Sequence, residues 1–486
     1  MISPIYLETA VLVLGLFLLM VESFSNNKSK TPIARMAIAG LSAVFVLTFF
    51  VNGHYLGAGA IRFYQADSLA IFFKQIALAT TILVLVLSLE YKTILRRFIF
   101  GAQNEAGTGE FYALPVFTCA GLMWMASAID FIFIFVALEL VTISFYILVS
   151  YTRRNPASLE AGVKYLILGA LSTGFLVYGI TWIFGITGQT NLFEIGQFVA
   201  KLKTANVPLL FGMVLVLIGL AFKIAAVPFQ FWVPDVYQGA PTPVTAFLSV
   251  GSKAAGFIVL MRVLETFMLS PFIMGKLIGL FVVLAAATLI YGNLAAMPQE
   301  NMKRLLGYSS IAHAGYLLIA MACFGTLNAR LAIPFYLAGY LLMTLLAFLV
   351  LIVVSNHTGG DDIAHFNGLS RRSPFLAFGM LVAMASLAGI PLTVGFLGKF
   401  LVFELAMAQQ NYLLVGIGAV TVAAGFYYYL KVVRAMYWKE SSSETPIPVS
   451  RITGLTIFVL CTAIFVLGVY PQPVFNRLQP RAESNH

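Results

Sequence analysis

Long apolar segments follow one another along this chain with little between them, and each is long enough to cross a lipid bilayer. A spanning helix takes about 20 apolar residues. Runs near 5–21, 33–51, 68–89, 111–128, 131–151, 160–184, 207–232, 243–267, 271–297, 302–324, 328–354, 374–409, 412–438 and 454–470 fit that length. The expectation is an all-α, polytopic membrane protein of about fourteen transmembrane helices, with little chain left for a soluble domain. Only 10% of the residues are charged and 60% are hydrophobic, which no soluble domain would tolerate.

A net charge of +10 would suggest nucleic acid in a soluble protein, but here the basic residues sit in short clusters between apolar runs. That pattern is topological, so the bilayer, not nucleic acid, is the expected partner. Threading the chain puts about sixteen basic residues, among them Arg153, Arg154, Lys303, Arg304, Arg371 and Arg372, on the cytoplasmic side and about eight outside. Both termini are therefore expected outside. The first run has no basic region ahead of it and no small-residue cleavage site after it, and reads as a retained helix.

Cys119, Cys323 and Cys461 lie far apart in apolar runs without ligand spacing and read as packing residues. Of the five histidines only His313 falls in an apolar run, whereas a membrane b-type haem needs a pair. The GGDD of loop 355–373 reads as a solvated turn with charges at helix ends. No phosphate loop, HExxH or nucleophile elbow is present. Neither a metal nor a cofactor is expected in this chain.

Ionisable side chains inside the apolar runs carry the functional signal, because each is costly in hydrocarbon. Glu139 lies mid-run in FIFIFVALELVTISF, Lys223 in VLIGLAFKIAAVPFQFW, Lys253 in FLSVGSKAAGF and Lys399 in GIPLTVGFLGKFLVF. Lys164 sits nearer a cytoplasmic end, where Glu160 one turn earlier could pair with it, so it reads either as a site or as an ordinary surface pair. Lys74 lies close to its external end and is expected to snorkel to the interface. Glu139 is the one acid expected deep enough to partner a buried lysine.

Desolvation disfavours an ammonium and a nearby carboxylate favours it, so a lysine moved between such surroundings can take up and release a proton. Arginine cannot. Pro228 and Pro391 fall inside apolar runs close to Lys223 and Lys399, where a missing backbone donor is tolerated only if the freed carbonyls face protein or a wet cavity. Paired broken helices of this kind point to an inverted-repeat transporter. Between them, NMKRLLGYSSIAHAGYLLIAM sets Tyr308, Ser309, Ser310, His313 and Tyr316 on an otherwise apolar helix that could hold a relay.

The segments GLAFKIAAVPFQFWVPDVYQGAPTPV, NMKRLLGYSSIAHAGY and LAGIPLTVGFLGKF together resemble the antiporter-like subunits of bacterial respiratory complex I, a superfamily that also includes subunits of multicomponent sodium/proton antiporters. The resemblance runs from about 111 to about 438. It implies three leading helices over 1–110, inverted five-helix repeats over 111–267 and 271–438, and a last helix with a short tail over 439–486. The N-type members match best, through the helix count, the YPQPVFNRL ending and Lys399 where M-type members carry glutamate. By resemblance Glu139 and Lys223 form a coupling pair, Lys253 and His313 a connecting relay, and Lys399 a terminal site; Lys164 stays a proton-transfer candidate on its position in the sequence alone. The family also implies a bacterial inner-membrane location and neighbouring antiporter-like and small membrane subunits. NADH, FMN, iron–sulphur clusters and quinone are then expected in partner subunits.

Overall fold

Hydrocarbon offers backbone amides no hydrogen-bond partner, so an apolar run that crosses it must satisfy its own backbone, most simply as a helix. The computed structural model describes residues 3–25, 29–51, 62–99, 108–204, 206–441 and 445–478, and each of the apolar runs is helical. The main helices are α1 (Ile5–Phe24), α2 (Thr31–Leu47), α3 (Ser68–Glu90), α4 (Gly109–Ser127), α5 (Phe131–Val149), α6 (Pro156–Thr187), α7 (Val207–Ile224) and α8 (Trp232–Gly239). After these come α9 (Thr242–Phe267), α10 (Pro271–Ala296), α11 (Met302–Ala322), α12 (Leu327–Thr358), α13 (Pro374–Ala388), α14 (Val394–Ala408), α15 (Tyr412–Trp438) and α16 (Arg451–Val469).

Among the described residues, 11 helices are long and apolar enough to cross a membrane. The expected count of about fourteen further needs three runs outside that set. One is the short α2, one is α4 with Glu110 in its first turn and Pro115 inside, and one is the broken α13–α14. The residues beyond Leu478 and the first two residues lie outside the described structure.

Loops gather at two opposite ends. At one, Tyr64 pairs with Ala128 and Asp130 with Asn191 as isolated antiparallel bridges, Arg262 reaches Asp67, and the Ser68 hydroxyl donates to the carbonyl of Leu478. At the other, Asn301 pairs with Asp362, the Asn356 amide donates to the carbonyl of Glu90, and Lys303 bonds the carbonyl of Ala240. The GGDD carboxylates serve helix ends: Asp362 caps a 3-10 turn with His365, and Asp361 accepts from Ser355 at 2.6 Å and pairs with Lys303 at 3.1 Å.

The run 207–232 stops at Ala225 (φ 64°) and the run 374–409 at Gly389 (φ 92°). Each residue is left-handed, and each stop closes with the same wide backbone turn, Ala226 N to Ala221 O and Ile390 N to Ala385 O, both 2.9 Å. Pro228 and Pro391 follow inside the breaks and cannot restart the helix at once. The prolines thus lie in both breaks as expected, but the left-handed residues ahead of them end the helices. A third irregularity, a π-turn over Leu248–Ser252, lies inside α9 immediately before Lys253. At the centre of the bundle α9 and α11 have their spanning windows wholly buried in protein, and α12 nearly so.

Candidate functional site

Lys399, on the second turn of α14, is 5% exposed and reaches back to the end of α13. Its Nζ donates to the carbonyls of Leu387 at 2.9 Å and Ala388 at 2.8 Å. Those carbonyls are free because α13 stops there, so the helix break makes the acceptors that the ammonium needs. The Tyr316 ring lies 4.9 Å from the same Nζ, and its hydroxyl pairs with Thr421 at 3.3 Å.

His313, one turn earlier on α11, is 1% exposed. One ring nitrogen, Nδ1, bonds Tyr336 OH at 2.7 Å and the other, Nε2, bonds Tyr429 OH at 3.2 Å. The Tyr429 hydroxyl also pairs with Ser309 at 2.5 Å. Lys253, just after the π-turn of α9, donates to both the backbone oxygen and the hydroxyl of Ser310. Its Nζ lies 5.7 Å from the Tyr340 ring, whose hydroxyl pairs with Ser249 at 2.8 Å. Two buried polar groups therefore lie between the lysines: Lys253 with Ser310 and, 3.3 Å on, Tyr237, and Ser309 with Tyr429, His313 and Tyr336, the His313 ring packing 6.1 Å from that of Tyr316 beside Lys399.

Lys223 and Glu139 are not in direct contact. Lys223, 5% exposed, donates to Thr142 at 2.8 Å. Glu139 accepts from Thr173 at 2.9 Å. Thr142 sits on the same helix as Glu139 and one turn on, but its hydroxyl donates to the carbonyl of Leu138 at 2.7 Å, so it holds Lys223 against α5 without bonding Glu139. Lys164 lies apart from this chain. It is 42% exposed and pairs with Glu160, as its spacing suggested, and with Asp235, each at 2.7 Å. Arg304 joins the same carboxylate at 2.8 Å. Burial pushes the Asp235 carboxyl up, but Lys164 and Arg304 hold it below the usual carboxylate range.

Two expectations are overturned. Lys74 does not snorkel: it is fully buried and ion-paired with Glu8 at 2.7 Å. Accordingly Glu139 is not the one deep acid, since Glu8 is itself 0% exposed, near the start of the first helix where an acid reads as interfacial. Thr142, Thr173, Tyr336, Tyr340 and Tyr429 were also missed. Tyr336 and Tyr340, four apart on an apolar helix, share a face, and that spacing was the available signal. Among the described residues no group of histidine, cysteine and carboxylate side chains could hold a metal ion.

A profile of the NADH:quinone oxidoreductase/Mrp antiporter transmembrane family matches residues 128–425. NADH-quinone oxidoreductase subunit N of Desulforamulus reducens is 38% identical, over 98% of this chain and 97% of that protein. The Trichlorobacter lovleyi protein of the same name is 39% identical, over 97% of this chain and 95% of that protein. A chain of respiratory complex I from Thermus thermophilus superposes with a TM-score of 0.80 at 30% identity, over 97% of this chain and 99% of that one. A chain of the Mrp complex from a Dietzia species superposes at 0.82 with 19% identity, over 97% and 95%, a likeness of fold alone.

Proposed function

Because the chain belongs to the NADH-quinone oxidoreductase subunit N family, we propose that it moves protons in the membrane arm of a bacterial complex I, coupling NADH oxidation and quinone reduction to proton transport. The observation that carries this reading is the set of buried polar groups between Lys253 and Lys399, with a lysine at each end and, among the described residues, no carboxylate paired to either.

Both ammonium groups are held by carbonyl and hydroxyl oxygens, so gaining or losing a proton changes the net charge of the site. A lysine can make that change, whereas an arginine keeps its proton. In one step the proton leaves Lys253 Nζ for the Ser310 hydroxyl as that hydroxyl passes its own to Tyr237 OH, 3.3 Å away, and a rearrangement of the intervening hydroxyls is assigned to carry it on to the Tyr429 and His313 group. His313 suits the middle of the relay, since its two nitrogens bond two different tyrosines and a proton can arrive at one as another leaves the second. Entry is assigned to Glu139 on α5 and to Lys223, which Thr142 holds against the same helix, and exit to Lys399. Lys164, exposed and doubly paired, anchors helices at the surface in this reading.

The inverted repeats over 111–267 and 271–438 are supported by the matching closures at Ala225 and Gly389. A bacterial inner-membrane setting with external termini is supported by the basic loops and by the Ser68–Leu478 bond, which puts the end of the described chain where α3 begins. NADH, FMN, iron–sulphur clusters and quinone are assigned to partner subunits, alongside neighbouring antiporter-like and small membrane subunits. The rival, a subunit of a sodium/proton antiporter, would co-purify with small antiporter subunits and no NADH-oxidising ones. To test the entry assignment, Glu139→Gln is reconstituted in the whole complex and protons moved per NADH oxidised are counted. A clear drop with normal assembly is expected, and an unchanged ratio would remove Glu139 from the path.

A further inference from the structure

The three helices before the first repeat bury a charged cluster that the relay above does not use. Glu8 on α1 and Lys74 on α3 are both 0% exposed, and Glu8 Oε1 lies 2.7 Å from Lys74 Nζ. The Tyr64 hydroxyl donates to the same Oε1 at 2.8 Å and accepts from Lys74 at 2.5 Å. The ammonium also sits 4.7 Å from the Tyr64 ring. Glu8 Oε2, by contrast, is buried with no hydrogen-bond partner among the described groups.

We propose that Glu8, Lys74 and Tyr64 form a further proton-holding site outside the two repeats, with Glu8 Oε2 as the atom that takes the proton. The inference rests on the proton-moving reading above. A pair kept only for packing has little to recommend it in hydrocarbon, where each charge is costly and well-packed apolar residues usually serve as well. A carboxylate kept only as a counter-ion would also be expected to have both oxygens satisfied. Here one oxygen takes both donors and the other is left open to a proton. Uptake breaks an O–H bond of hydronium and forms one at Oε2, leaving water and a neutral acid beside the ammonium. Release breaks that O–H bond and returns the proton to water.

The surroundings link the site to the repeats. Asp67 caps the same helix α3 about 10 Å nearer its end, and its side chain is 32% exposed. Burial pushes the Asp67 carboxyl up, but Arg262 holds it below the usual carboxylate range, so Asp67 stays ionised and paired. Arg262 grips Asp67 with two 2.7 Å bonds and belongs to α9, the helix of Lys253. Glu265 lies near that pair on α9, and Cys119 and Ser127 face the cluster from α4. A proton on Glu8 thus changes the charge felt at the end of the helix that carries the first relay lysine.

The test uses the intact complex. Infrared difference spectra between acidic and alkaline buffer should contain a protonated-carboxyl band that Glu8→Gln removes. The double variant Glu8→Gln with Lys74→Met strands neither charge, and it should assemble yet move fewer protons per NADH than the wild type. Persistence of every carboxyl band in Glu8→Gln, or a double variant pumping at the wild-type ratio, overturns the proposal. If Glu139→Gln lowers pumping while the Glu8 variants do not, this site alone is withdrawn. If Glu139→Gln also leaves pumping unchanged, the reading beneath it fails as well.

Discussion

At Lys399 two roles are combined that substitution can separate. The ammonium satisfies two carbonyls left free by the end of α13, which is structural, and in the proposed relay it also yields its proton. Lys399→Arg keeps the donors and the charge but not the exchange, so it should assemble with near-normal stability and lose proton transport. Lys399→Met removes a buried charge but leaves the two carbonyls without a donor, at a cost of about 1–3 kcal/mol. It should be the less stable variant and equally inactive. Thermal unfolding and protons per NADH, measured on both, check this, and an active arginine variant would reduce Lys399 to a structural clip. The burial of Lys223, Lys253 and Lys399 was legible in the sequence because each lies well inside an apolar run. Their partners were not legible: Thr142, Tyr336 and Tyr429 are ordinary residues in apolar helices, and only the crossing of distant helices brings their hydroxyls to the lysines and His313.

Helix breaks and loop clamps belong to the next scale. The two broken runs were readable from Pro228 and Pro391, yet the helices stop earlier, at residues whose left-handed backbone the proline pattern did not mark. Ala225 carries the strain of a non-glycine in that conformation, whereas Gly389 does not. Lys74 was misread at this scale, because distance to a helix end was taken as access to water while α1 and α4 in fact cover that end. A clamp outside the spans gives a pH test. Burial pushes the Asp361 carboxyl up, but Lys303 and the Ser355 hydroxyl outweigh it and hold it below the usual range. A lowered native value means that the contribution is complete above the unfolded value of about 3.9 and fades as the pH falls through the native one. Asp361→Asn should therefore lower the unfolding midpoint at neutral pH, by about 1–3 kcal/mol of stability, and flatten its decline in acid. Identical acid profiles for the two proteins would show that the clamp contributes nothing.

For the whole molecule, the loop contacts divide into two ends, and the Glu8 end of α1 shares one of them with Leu478. Arg153 belongs to the other, where the backbone amide of Arg154 bonds the carbonyl of Phe98. The native cysteines are buried, so single engineered cysteines can report sidedness. Asn476→Cys should react with an impermeant thiol reagent from outside the cell and Arg153→Cys only after the membrane is opened, whereas equal access from outside would break the assigned threading. The central claim is that protons cross through the lysine and tyrosine chain at the heart of the bundle. Lys253 tests it most directly, since it is buried at one end of the chain and, among the described residues, donates its hydrogen bonds to Ser310. The measurement is the number of protons moved per NADH oxidised by vesicles containing the whole complex with Lys253→Met. The account predicts an assembled complex with a clearly reduced ratio, and the wild-type ratio in that variant would contradict it.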